Sequence, residues 1–162
     1  MAGENARACI YIKGLRTDLW ARHCCRNLTA VRVQYKRGKE CEMVVASAYF
    51  PYDVDASLLQ TVRDLIRDCE AEKIGLVIGC DKNSHHTVWE STDCNVRGKD
   101  LDTTNLDILN IGCKPTLKNA STEEVIDITL ASAGVWSWLR TWKVSEEIFM
   151  SDHNHITSSW RT

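Results

Sequence analysis

The feature that most narrows what this chain can fold into is residues 74–80, IGLVIGC, a run with no charged side chain and hardly a polar one. So short and apolar a segment suits a strand buried on both faces, which needs cover above and below it. One cover is legible just upstream. Leu58, Val62, Leu65, Ile66 and Cys69 recur at helical spacing after Ser57 and Gln60, which stand in capping-box positions, so a helix with a single apolar face is expected there. Residues 8–12 (ACIYI), 28–35 (LTAVRVQY) and 41–50 (CEMVVASAYF) read as consecutive antiparallel strands, the last two joined by a turn at GKE and closed by Pro51. Residues 125–131 (VIDITLA) and 136–144 (WSWLRTWKV) read as later strands, and residues 148–157 (IFMSDHNHIT) return to a strand near the end. Many strands and few helices indicate an α/β or α+β sandwich with sheets at its core.

A length of 162 residues, 44% of them hydrophobic, supports one domain spanning 1–162 with a real core. With 20 basic against 22 acidic side chains, any nucleic-acid binding must come from a local basic face. The eight cysteines include no CxxC pair, which argues against a zinc ribbon or a thioredoxin-type site. The first residues have no basic-then-apolar signal pattern, so reduced thiols in an intracellular protein are expected. No apolar stretch approaches the roughly 20 residues that cross a bilayer, and no membrane partner is expected.

Three polar constellations sit at the ends of apolar runs: Asp81 with Asn83, Asp127 inside VIDITLA, and Asp152 with His153 in SDHNH. A carboxylate within VIDITLA is costly to bury unless something answers it, and a histidine on a neighbouring strand would do so. His153 in that place would give one ring nitrogen to Asp127 and keep the other for a substrate. Asp81 and Asn83, two apart at a strand end, project to one side, where a carboxylate can take a proton from water beside an amide that holds a phosphate oxygen. Asp152 offers a hard oxygen ligand for Mg²⁺. The bland reading of Asp81 and Asn83 is an ordinary turn after a strand. A zinc cluster of His85 and His86 with Cys80 and Cys94 matches no common zinc spacing.

The ordered set SAYFP (47–51), GCDKNS (79–84), IDITLAS (126–132) and SDHNHI (151–156) resembles the endonuclease/exonuclease/phosphatase superfamily. Within it, His85 to Trp89 and the Arg97–Gly98 pair resemble the apurinic-type endonuclease domain of non-LTR retrotransposons. The resemblance implies a four-layer sandwich of two packed mixed β-sheets flanked by helices, with the site at one edge of the sheet pair. It implies that Asp81 orients or deprotonates the attacking water, that Asn83, His153 and Tyr49 contact the scissile phosphate, and that Asp127 orients His153. Asp152 would bind Mg²⁺. His85, His86, Lys118 and Asn119 would lie against DNA, and a reverse-transcriptase domain is expected in the full-length polyprotein, which would act in the nucleus.

The family domain normally begins some tens of residues earlier, with strands bearing an asparagine and a glutamate that is the principal metal ligand. A domain incomplete at its N-terminus is therefore expected, with self-association through an exposed sheet edge. Glu90 stands where the family has glycine, and the segment after Gly98 is short. Two other readings stay open: an impaired remnant that only binds nucleic acid or a partner, and a phosphoesterase acting on small phosphoesters.

Overall fold

The computed structural model describes residues 6–14, 16–37, 39–51, 56–81, 105–147 and 150–161. Its centre is a six-stranded mixed sheet built from β1 (Arg16–Leu19), β2 (Leu28–Arg37), β3 (Lys39–Tyr49), β4 (Gly75–Asp81), β5 (Leu106–Ile108) and β8 (Asp127–Ser132), in the order β1-β2-β3-β4-β8-β5. Only β3 and β4 run parallel, and the helix α1 (Ala56–Glu72) connects them. That is the connection a parallel pair requires. β4 is IGLVIGC in its expected central place, with β3 on one side and β8 on the other.

Alternation along the strands sorts the side chains into two cores. Val44, Ala46 and Ala48 of β3, Leu76 and Ile78 of β4, and Ile128 and Leu130 of β8 face α1 and meet Leu58, Val62, Leu65, Ile66 and Cys69. Burial pushes the Cys69 thiol up to about 12, so it stays a protonated, apolar part of this interface. On the opposite face Val77 and Ala131 pack with Val135, Trp142 and Val144. Those last residues belong to α2 (Ala133–Trp136), a single turn, and to β9 (Leu139–Val144), which pairs with β10 (Ile156–Trp160) as a small second sheet. A hairpin of β6 (Leu117–Lys118) and β7 (Glu123–Glu124) forms a third. The sandwich of packed sheets under a helix is as expected, with β9 and β10 standing for the second sheet among the described residues.

Several local expectations are corrected. Residues 8–12 are not a strand, because β1 already occupies the edge of β2, pairing Arg16 with Gln34 through Leu19 with Val31. The segment is instead tied down by the Arg7 amide donating to the Arg26 carbonyl (2.8 Å) and by Thr29 Oγ1 donating to the Ala8 carbonyl (2.9 Å). The expected strand 136–144 starts at Leu139, since the chain must first reverse through α2 after β8. The last strand begins at Ile156, after SDHNH, so His153 reaches the site from a connecting segment. α1 starts at Ala56, which puts Ser57 inside the helix, and Gln60 donates to Asp64 (3.0 Å).

The two glycines of β4 differ in what surrounds them. A Cβ on Gly75 would lie 2.6 Å from Cγ2 of fully buried Val135, whereas one on Gly79 would meet nothing within 4 Å. Gly75→Ala is expected to lower stability by about 1–3 kcal/mol through overpacking. Gly79→Ala should stay within about 0.5 kcal/mol of the parent. Urea unfolding of both variants checks the contrast, and equal midpoints would contradict it.

Candidate active site

Register places the site. Across β3, β4 and β8, Tyr49 pairs with Asp81 and Asp81 with Asp127, so the three stand in one row. Paired residues share a face, and this is the face away from α1. The next row inward, Ser47, Gly79 and Thr129, is small and polar, and behind it Val45, Val77 and Ala131 turn apolar. The rows floor an open groove of about 740 Å³, walled by residues 153–158 and by the segment at Arg7 to Ile10.

His153 enters from the wall. Its Nδ1–H donates to Asp127 Oδ2 at 2.9 Å, since a carboxylate can only accept, and Nε2 is left as the second ring nitrogen. Half-burial alone would lower the His153 pKa, but the Asp127 hydrogen bond and the charges of Asp127, Asp81 and Asp152 outweigh it and raise it above the ordinary histidine value. The pairing anticipated from the cost of burying Asp127 is present, though its histidine comes from a loop instead of a neighbouring strand.

Thr116 and Asn110 hold this pair in place, and neither stood out in the sequence. Fully buried Thr116 accepts through Oγ1 from the amides of Ile126 (3.0 Å) and Asp127 (2.9 Å). Its carbonyl accepts from the Asn154 amide at 2.7 Å, and the Asn154 side chain donates to the Pro115 carbonyl at 3.0 Å. One residue therefore fixes both the backbone of Asp127 and the segment carrying His153. Asn110 donates to the Asp127 carbonyl (3.1 Å) and accepts from the Thr129 amide (2.8 Å), extending the ladder of β8 beyond the end of β5. A lone amide in the apolar run LDILNIG was the signal for Asn110, because a buried polar group needs partners.

The remaining expected site residues are distributed unevenly. Asp152 is exposed beside His153, and its carbonyl accepts from the Lys118 amide at 2.7 Å. Lys118 Nζ forms an ion pair with Glu123, and Asn119 Oδ1 accepts from the Ser121 and Thr122 amides (3.0 and 2.9 Å), so both serve the β6–β7 turn. That turn borders the site through the Leu117–His153 bridge. Asn83, His85 and His86 lie outside the described residues, as do Cys94 and Arg97.

Asp81, Asp127 and His153 offer ligand atoms that all lie within 4.8 Å of one another. One Asp127 oxygen is engaged by His153. That donor set fits a hard divalent cation that takes one or two carboxylates and fills its shell with water and phosphate oxygens. Asp152 is not one of the three.

Residues 43–157 match the family model described as endonuclease-reverse transcriptase. The chain belongs to that family. Its members are nuclease and phosphoesterase enzymes, which bears out the resemblance to the endonuclease/exonuclease/phosphatase superfamily and its retrotransposon branch. No curated protein matches the chain at a significant level. Among solved structures, the endonuclease domain of TRAS1, a telomere-specific non-LTR retrotransposon, superposes with a TM-score of 0.82 at 24% identity, covering 94% of this chain and 72% of that one. The catalytic domain of Xenopus laevis APE2 gives 0.66 at 14% identity, covering 83% and 54%. The 3'-5' exonuclease NExo from Neisseria meningitidis gives 0.61 at 16%, covering 93% and 72%. At these identities the superpositions establish the fold of this endonuclease-reverse transcriptase family member.

Thr116→Val keeps the shape and removes the acceptor, so two buried amides lose their partner. The expected loss is about 1–3 kcal/mol per the cost of unsatisfied buried donors, with Thr116→Ser closer to the parent. Denaturant unfolding measures it, and a Val variant as stable as the parent would show that Oγ1 holds nothing.

Proposed function

We propose that this chain is the Mg²⁺-dependent DNA endonuclease domain of a retrotransposon, nicking target DNA to leave a 3′-hydroxyl that primes reverse transcription. The observation that carries the reading is the Asp127–His153 pair set beside Asp81 on one rim of the sheet. Asp81 takes the proton of the attacking water, whose oxygen joins phosphorus as the bond to the 3′-oxygen breaks and that oxygen takes a proton from solvent to become the 3′-hydroxyl. His153, oriented by Asp127 and raised in pKa, presents a proton-bearing ring to the phosphate. Asn83 contacts a phosphate oxygen, and Tyr49 reaches it from the far end of the row. Asp152, which lies outside the cluster, would hold Mg²⁺ with Asp81 as the further carboxylate the cluster offers, and the ion would supply Lewis-acid charge at the phosphate. His85, His86, Lys118 and Asn119 lie along the DNA.

Residues 1–162 act as one domain, with a reverse transcriptase in the same polyprotein and the nucleus as the place of action. No helix among the described residues is long and apolar enough to cross a membrane.

Nicking of supercoiled plasmid in Mg²⁺ tests the reading. Asp81→Ala and His153→Ala are expected to slow nicking by on the order of 100-fold or more, the usual scale of a lost general acid or base. Nicking that survives Asp81→Ala would sink the site, and hydrolysis of small phosphoesters without DNA cleavage would make the chain a phosphatase. DNA binding without cleavage in any divalent ion would leave it an inactive remnant.

Among the described residues β10 pairs only with β9, leaving its outer edge beside the groove. We expect that edge to support self-association. Sedimentation should show a dimer whose fraction rises with concentration, and a monomer at every concentration would refute it.

A further inference from the structure

We propose that Arg7 is a substrate-contacting residue that holds a backbone phosphate of the DNA at the Tyr49 end of the site rim. The inference rests on the endonuclease reading above and adds to it a residue that neither the motifs nor the resemblance singled out.

Arg7 is exposed, yet its backbone is fixed. Its amide donates to the Arg26 carbonyl at 2.8 Å, and the next residue, buried Ala8, accepts from Thr29 Oγ1. The guanidinium lies over the Tyr49 ring, 5.6 Å from its centroid, and Arg7 lines the same groove as Asp81, Asp127 and His153. Stacking on an aromatic face leaves the N–H edge of a guanidinium free to point outward, where it can grip a phosphate with two parallel bonds.

The charge of the rim favours such a residue. The rim presents Asp81, Asp127 and Asp152 to a polyanion, and two lysines near it among the described residues are held by glutamates. Lys118 pairs with Glu123 and Lys114 with Glu146. Arg7 has no carboxylate partner among the described residues. Tyr49 and Asp127 stand two strand spacings apart, roughly 10 Å, so Arg7 and His153 flank the row and serve different phosphates of one strand. The contact is to backbone and carries no base preference.

The test is the salt dependence of duplex DNA binding without divalent ion, for the full chain, Arg7→Ala and Arg7→Lys. One lost phosphate contact should make the slope of log K against log salt shallower by about 0.9 in Arg7→Ala, on duplexes of any sequence, while Arg7→Lys keeps the slope. In nicking, Arg7→Ala should raise KM several-fold and leave kcat within about twofold, the pattern of lost uniform binding. An unchanged slope overturns the proposal, and a fall in kcat with the slope intact would show that Arg7 only props Tyr49. Absence of DNA binding by the parent chain overturns both this contact and the endonuclease reading. The predicted slopes together with nicking that survives Asp81→Ala would leave Arg7 standing and remove the assigned site.

Discussion

The hydroxyl of Thr116 is the constraint on which the site depends. It is fully buried at the start of the β6–β7 hairpin and holds the amides of Ile126 and Asp127, while the carbonyl of the same residue holds Asn154. The Asp127 carboxylate and the His153 ring come from segments 26 residues apart, and a 2.9 Å hydrogen bond tolerates little drift between them. Anchoring both backbones to one buried residue, one through its hydroxyl and the other through its carbonyl, removes most of that drift before the two side chains meet. The pair is in this sense preorganised, which is what acid–base work at a phosphate needs.

The sheet contributes a second kind of order. Because paired residues share a face, the register that packs Ala46, Ile78 and Leu130 under α1 also sets Tyr49, Asp81 and Asp127 in a row on the other side. A slip of one residue in any of the three strands would invert both sides at once. The hydrophobic core and the polar rim are thus two readings of a single alignment, and the apolar face under α1 enforces the placement of the acids.

What was legible in the sequence follows the same division. β4 and α1 could be read because their patterns are local: a continuous apolar run, and an apolar stripe at helical spacing. Asp127 and His153 could be matched because an acid inside an apolar strand demands an answer. β1 could not be read, since RTDL has no strand pattern and is a strand only because β2 offers it an edge. For the same reason ACIYI looked like a strand and is not one. Thr116 could not be picked out, as its role exists only once two distant segments converge on it. Trp138 and Trp142 join the second core, whereas Trp136 stays exposed on α2.

The parallel pairing of β3 with β4, and the antiparallel insertion of β8 beside them, has a consequence for how such a domain can diversify. β3 and β4 end at the rim with Tyr49 and Asp81, and β8 begins there with Asp127. The segments following Tyr49, following Asp81 and preceding Asp127 all join the sheet at this one rim. Insertions, deletions and exchanges in those segments reshape what meets the substrate while leaving the strand register untouched. A lineage of such domains can therefore vary the loops around the rim while the strand platform stays unaltered.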